Sequence, residues 1–114
     1  MGYYTDYSLS CIGDDEEIRA FCDDLVNEHP DEPELQQLVD GEVMNMKWYH
    51  LSDWIGKTAA RHPDVLVILD GDGENSNDLW QERWKGDEHE CHSMMMPPFT
   101  SPDLLTDDEK QGQR

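Results

Sequence analysis

The segment Asp70-Gly71-Asp72-Gly73-Glu74-Asn75-Ser76-Asn77-Asp78 sets oxygen-bearing side chains at alternate positions, as a calcium loop does around its ion. The match fails where it matters. Counted from Asp70, position 6 is Asn75 where the sharp turn needs Gly, and position 12 is Gln81 where the ion needs a bidentate Glu. A strand connection with two glycines for unusual backbone angles is the simpler expectation. His89, Cys91 and His92, with His50 or His29 elsewhere, are the second metal-like group. Their spacing fits no structural-zinc pattern, and on a strand His89 and Cys91 share one face while His92 points to the other.

Other chemistries find less support. No His is placed by sequence near an activated thiol, and no phosphate-cradling glycine loop leads into a Lys. Carboxylate pairs are too abundant here to mark a hydrolytic site. The residues therefore point to no catalytic group, no bound metal and no cofactor, and to a protein that is not an enzyme.

What the residue types do support is electrostatic recognition. The chain has 27 Asp plus Glu against 8 Lys plus Arg in 114 residues, a formal charge of −19. Residues 1–46 contain acids from Asp6 to Glu42 and a single base, Arg19. Such a field repels nucleic acid and acidic membranes and attracts basic protein surfaces. Carboxylates at regular spacing on a rigid helix imitate the phosphates of a duplex, which carries one charge per about 1.7 Å of axis. The acids at positions to contact a partner are Asp15, Glu16, Asp23, Asp24 and Glu28, followed by Asp31, Glu32 and Glu34.

These acids need elements to hold them. Residues 3–12 alternate Tyr7, Leu9 and Cys11 with Ser8 and Ser10, the period of a half-buried strand. After Gly13, Asp14 and Glu17 have the spacing of a capping box. Ile18, Phe21, Cys22 and Leu25 then recur at the spacing of a helix face until Pro30 ends the run. Glu16, Glu17, Asp23, Asp24 and Glu28 fall on the opposite, exposed side of that helix. A short helix over 31–40, a strand over 44–51 and a helix over 53–61 are expected next.

Val65 to Leu69 is a continuous aliphatic run between turn residues, the pattern of a central strand buried on both faces. After the 70–78 loop, residues 79–85 and 88–96 form a hairpin about Gly86 and Asp87. Leu104 and Leu105, with Phe99, are the apolar residues able to fold back beyond Pro97 and Pro98. This order of elements indicates an α+β domain with a mixed or antiparallel sheet of about four to five strands and two to three helices on one face. Residues 1–105 make the domain, and 106–114, which contain no apolar residue, a flexible tail.

Cys11, Cys22 and Cys91 are odd in number and far apart in sequence, which suits free thiols in a reducing compartment. No run approaches the roughly eighteen apolar residues of a membrane span. The opening residues do not have the order of a secretory signal. Cytoplasmic residence is the expectation.

The opening MGYYTDYSLS, with Lys47-Trp48-Tyr49, Pro63-Asp64-Val65-Leu66, Gly71-Asp72-Gly73-Glu74, Asp78-Leu79-Trp80 and Lys85-Gly86, resembles a group of small acidic phage-encoded proteins. The shared positions cover about half the chain and read as fold determinants. The resemblance implies a phage origin and residence in the host cytoplasm. Acidic anti-CRISPR and anti-restriction inhibitors are similar in size and charge alone. The expected partner is a basic nucleic-acid-binding host protein or ribonucleoprotein, with no direct contact to nucleic acid or membrane. Two other readings stand beside it: a metal-binding domain using Asp70 to Asp78 or His89, Cys91 and His92, and a phage interaction module using Trp48, Trp80, Trp84 and Met94 to Met96.

Overall fold

A computed structural model describes residues 5–46, 48, 50–73, 79–93, 101–107 and 109. Strand β1 (Thr5–Ile12) buries Tyr7 and Leu9 on one face and turns Ser8 and Ser10 to the other, as its alternation requires. Helix α1 (Asp15–Asn27) and the short α2 (Leu35–Val39) lead to β2 (Glu42–Met46), which pairs antiparallel with β1. Helix α3 (Leu51–Ala60) then carries the chain across to β3 (Leu66–Gly73) on the other side of β1. Strands β4 (Leu79–Lys85) and β5 (Glu88–Ser93) follow as a hairpin, giving the order β2-β1-β3-β4-β5.

Every pairing is antiparallel, so the domain is α+β with a five-stranded antiparallel sheet and three α-helices. The helices cover one face. Phe21 and Leu25 of α1, Leu35 and Leu38 of α2, and Leu51, Ile55 and Ala59 of α3 pack with Tyr7, Leu9, Val43, Val67, Leu69 and Trp84 of the sheet. Burying a large aliphatic or aromatic side chain contributes about 1.5–3 kcal/mol, so this cluster is the main source of stability.

The opposite face has a smaller core. Leu66 and Ile68 are covered by Leu104 and Leu105, which a 3-10 turn (Pro102–Leu104) lays against the sheet. The aliphatic run at 65–69 is thus buried on both sides, as its composition indicates, and Leu104 and Leu105 do fold back. Arg83 of β4 secures them by donating to the Leu104 carbonyl and to Glu109.

Thr106 and Glu109 form a reciprocal cap in which each backbone N–H donates to the other's side chain. The stretch expected as a tail from residue 106 is therefore anchored at these two positions. Residues 110–114 lie outside the described residues, as do Tyr3, Tyr4, the 74–78 segment, the methionines at 94–96 and Phe99.

Several local expectations are corrected. Asp14 has the backbone geometry of an N-cap but makes no side-chain capping bond, so the acids of that turn act on the helix through its dipole. The strand expected over 44–51 begins at Glu42 and ends at Met46, because Trp48 turns inward to the core and His50 begins the turn into α3. Ser52 lies in the first turn of α3, and its hydroxyl donates to Glu82 of β4, 2.6 Å away.

The Asp70-Gly71-Asp72-Gly73 stretch, expected as loop, continues β3 because β1 and β4 both pair with it. Gly71 is required there by its neighbour. A Cβ at this position would lie 2.3 Å from a ring carbon of Trp80, which crosses the strand at that point. In the β4–β5 turn, Gly86 has a φ of 60°, a conformation that favours glycine.

Candidate partner-binding surface

Helix α1 docks through Phe21 and Leu25, flanked by the half-buried Ile18, Cys22 and Val26. With that stripe fixed, helical geometry turns Glu16, Asp23 and Asn27 outward, and Asp15 is also exposed. Arg19 lies between Glu16 and Asp23 at the spacings that make helix neighbours, so the outward face is acidic with one base set into it.

The eight acids expected to contact a partner differ in their surroundings. Asp15, Glu16, Asp23 and Asp31 are exposed. Asp24 and Glu28 turn toward the end of α3. There the Asp24 carboxylate meets His62 Nε2 at 2.6 Å and Arg61 Nε at 3.8 Å, and Glu28 pairs with the other arm of Arg61. His62 also sets its ring edge-on against Phe21, 6.1 Å between centroids, tying this polar contact to the core.

Glu32 is occupied as well. Its carboxylate accepts the indole N–H of Trp48 at 3.0 Å, and His29, three residues before Glu32, stacks on Trp54. Glu34 is half-buried at the start of α2. Asp15, Glu16, Asp23 and Asp31 are thus outward carboxylates, Glu28 is exposed but paired with Arg61, and Asp24 and Glu32 make contacts between elements of the domain.

The metal-like residues are dispersed by the register. His89 lies opposite Trp84 and Cys91 opposite Glu82, whereas His92 lies opposite Gln81 on the other face. His89 stacks on Trp84 and meets the Glu82 carboxylate at 2.8 Å; His92 meets Glu90 at 2.8 Å. Among the described residues no group of three or more His, Cys, Asp or Glu is placed to hold a metal ion. Trp48 and Trp84 are core residues and Trp80 packs against that core, which leaves them little surface for an interaction module.

Two relationships were not visible in the spacing. Glu82 is a nearly buried acid on the helix-facing side of the sheet, and Ser52 and His89 both engage the same carboxylate oxygen. Burial foremost, with Glu82 adding to it, pushes the phenol of Tyr7 up. Cys11 of β1 and Cys22 of α1, eleven residues apart, both pack half-buried against the core and interact with each other. That contact foremost, with burial, pushes Cys11 up, and it draws Cys22 down against the opposing effect of burial. Cys91 is exposed rather than buried.

A third feature lies on the face away from the helices. Strand alternation puts Asp6 and Ser8 there, and the register sets Asp6 opposite Asp72 and Ser8 opposite both Asp70 and Glu42. These residues, with Met44 and Leu79, line a groove of about 320 Å3. The alternation of Asp6, Ser8 and Ser10 is the only trace of this face in the sequence.

Among the described residues no helix is long and apolar enough to cross a membrane. Compared with known protein families, with curated protein sequences and with solved structures, the chain matches none.

Proposed function

We propose that this chain is a non-enzymatic inhibitor whose acidic surface occupies the nucleic-acid-binding surface of a basic protein or ribonucleoprotein, as a phage protein directed against a host defence complex would. The observation that carries this reading is the presentation of Asp15, Glu16, Asp23 and Asp31 to solvent on a well-packed domain of charge −19. Glu16 and Asp23 lie on the same side of α1, separated by about 10 Å of helix rise, and a rigid helix holds that separation without further ordering cost. Charge of this sign steers encounter with a basic surface and competes for the Lys and Arg that would otherwise hold phosphates.

The contact is centred on the outward carboxylates. Asp24 and Glu28 add to the field but already face Arg61 and His62. The resemblance of the opening and central motifs to small acidic phage proteins supports the biological setting.

The test is capture from a host lysate across a salt gradient, comparing the native chain with a variant carrying Asp15→Lys, Glu16→Lys and Asp23→Lys. Basic nucleic-acid-binding proteins should be retained at low salt, released by added double-stranded DNA, and lost from the variant. Capture that survives high salt, DNA competition and the three reversals would refute the reading.

A further inference from the structure

From the groove between α3 and the β4–β5 turn, we infer a second site that binds a small zwitterion of the amino-acid class, its carboxylate held by the indole N–H of Trp84 and its ammonium by Asp53 and Asp87. The groove has a volume of about 420 Å3, within the about 300–1,000 Å3 of ligand clefts. Ser52, Gly56 and Lys57 line it from the helix, and Trp84 and His89 from the hairpin. It shares no residue with the acidic contact proposed on α1, so either can fail alone.

Trp84 is the residue that points to a ligand. A buried indole N–H ordinarily finds an acceptor, as that of Trp48 does in Glu32. Trp84 is only 3% exposed, yet among the described residues its N–H donates to no acceptor. No sealed polar side-chain atom there lacks a partner, so this N–H is reached from the groove that Trp84 lines. Gly56 keeps it open. A Cβ at that position would lie 3.3 Å from Trp84 Nε1. Glycine destabilises a helix interior relative to Ala, and here the missing side chain leaves the donor uncovered. The indole is also held in place: His89 stacks on it with ring centroids 5.0 Å apart, and Glu82 meets His89 Nε2 at 2.8 Å.

An indole N–H can only donate, so the ligand must bring an acceptor. Lys57, next to Gly56 on α3, adds a cationic donor to the same wall. Asp53 and Asp87 line the groove as well, and both are exposed. Two acids against one lysine disfavour a simple anion, while a simple cation would leave the indole donor unmet. A zwitterion answers both sets of groups, and charge-assisted hydrogen bonds at each end are the strong kind.

The probe is L-alanine, titrated to millimolar concentration into the isotopically labelled full chain, with acetate and ethylammonium as single-ended controls. The tryptophan indole resonances are followed, that of Trp84 being assigned by its loss in Trp84→Phe. Alanine should move the Trp84 indole proton downfield and slow its exchange with water. Each control should bind about tenfold more weakly or worse, as losing a charged hydrogen-bond partner does. Gly56→Ala should weaken alanine binding to a similar extent, with circular dichroism and thermal unfolding showing the fold intact. Asp53→Asn combined with Asp87→Asn should weaken it likewise. An indole resonance that alanine leaves unmoved would overturn the site. Alanine binding retained in Gly56→Ala would overturn its placement at Trp84, and acetate as effective as alanine would overturn the assignment to a zwitterion. Lysate capture across salt reports separately on the α1 carboxylates.

Discussion

Arg83 and Glu109, distant in sequence, form a two-pronged ion pair, Nη1 donating to Oε1 at 2.5 Å and Nη2 to Oε2 at 2.9 Å. Arg83 is itself nearly buried and donates also to the Leu104 carbonyl and to Gln81. One guanidinium thus fastens the C-terminal segment over Leu66 and Ile68. Arg83→Ala should cost about 3 kcal/mol, because it strips a buried charge from an arranged set of acceptors and uncovers apolar surface. Urea denaturation measures the loss, and amide exchange at Leu104 and Leu105 should rise to near that of free chain. A variant whose exchange there is unchanged would show that the aliphatic contacts suffice.

The same pair makes this attachment sensitive to acid. Hydrogen bonds from Arg83 hold the Glu109 carboxyl down from its ordinary 4.5 to about 2, aided by the Thr106 backbone and opposed by burial. A carboxyl depressed by folding binds its proton more readily in the unfolded chain, so its contribution is complete above pH 4.5 and lost as pH falls toward 2. Protection of the Leu104 and Leu105 amides, relative to the intrinsic exchange rate at each pH, should fall across that window, and Glu109→Gln should abolish the pH step. Solvent screens the partly exposed carboxylate, so the effect belongs to the segment and leaves the main core in place.

Gly71→Ala should destabilise the domain by about 1–3 kcal/mol, the usual range for forcing atoms into a packed site. The added methyl would enter the space of the Trp80 ring, whose edge contact with Tyr7 would be broken as it moved. Thermal unfolding measures the loss, and altered tryptophan fluorescence should accompany it.

Ser52→Ala should cost about 1 kcal/mol, since it removes one of two donors to the nearly buried Glu82. Glu82→Leu removes the acid and leaves both former partners with access to water. A double-mutant cycle between the two positions should give a coupling of about 1 kcal/mol; a coupling near zero would show that His89 alone satisfies the carboxylate.

Arg61→Ala releases one partner of Asp24 and the partner of Glu28 on the surface between α1 and α3. Partly exposed pairs contribute little, so the stability change should stay below about 1 kcal/mol. If α1 contacts a basic partner, the variant should bind that partner more tightly at low salt than the native chain, because it adds net negative charge and releases Glu28 from Arg61, while Asp24 keeps His62. Tighter binding that persists at high salt would argue against an electrostatic contact.

Much of this molecule could be read along the chain. The two-residue alternation of Tyr7, Leu9 and Cys11, the helical recurrence of Phe21 and Leu25, and the aliphatic run at 65–69 each assign a residue to a face of its own element. Those periods come from local backbone geometry, so α1, β1, the centre of β3 and the hairpin were legible, as was the sign of the surface. Element ends were less so. Asp70 to Gly73 look like a loop by propensity, and they become strand because pairing on both sides outweighs that preference.

What tertiary structure alone decided is which residues face one another. Asp24 and Glu28 share a helix with Glu16 and Asp23, but the end of α3 arrives beside only the first pair. Asp6 and Asp72 become neighbours through the β1–β3 register, and Arg83 meets Glu109 because the chain doubles back over the sheet. Helix and strand periods repeat within a few residues and are written in the sequence. Cross-strand and interhelical partners depend on how whole elements dock, and no local period encodes that.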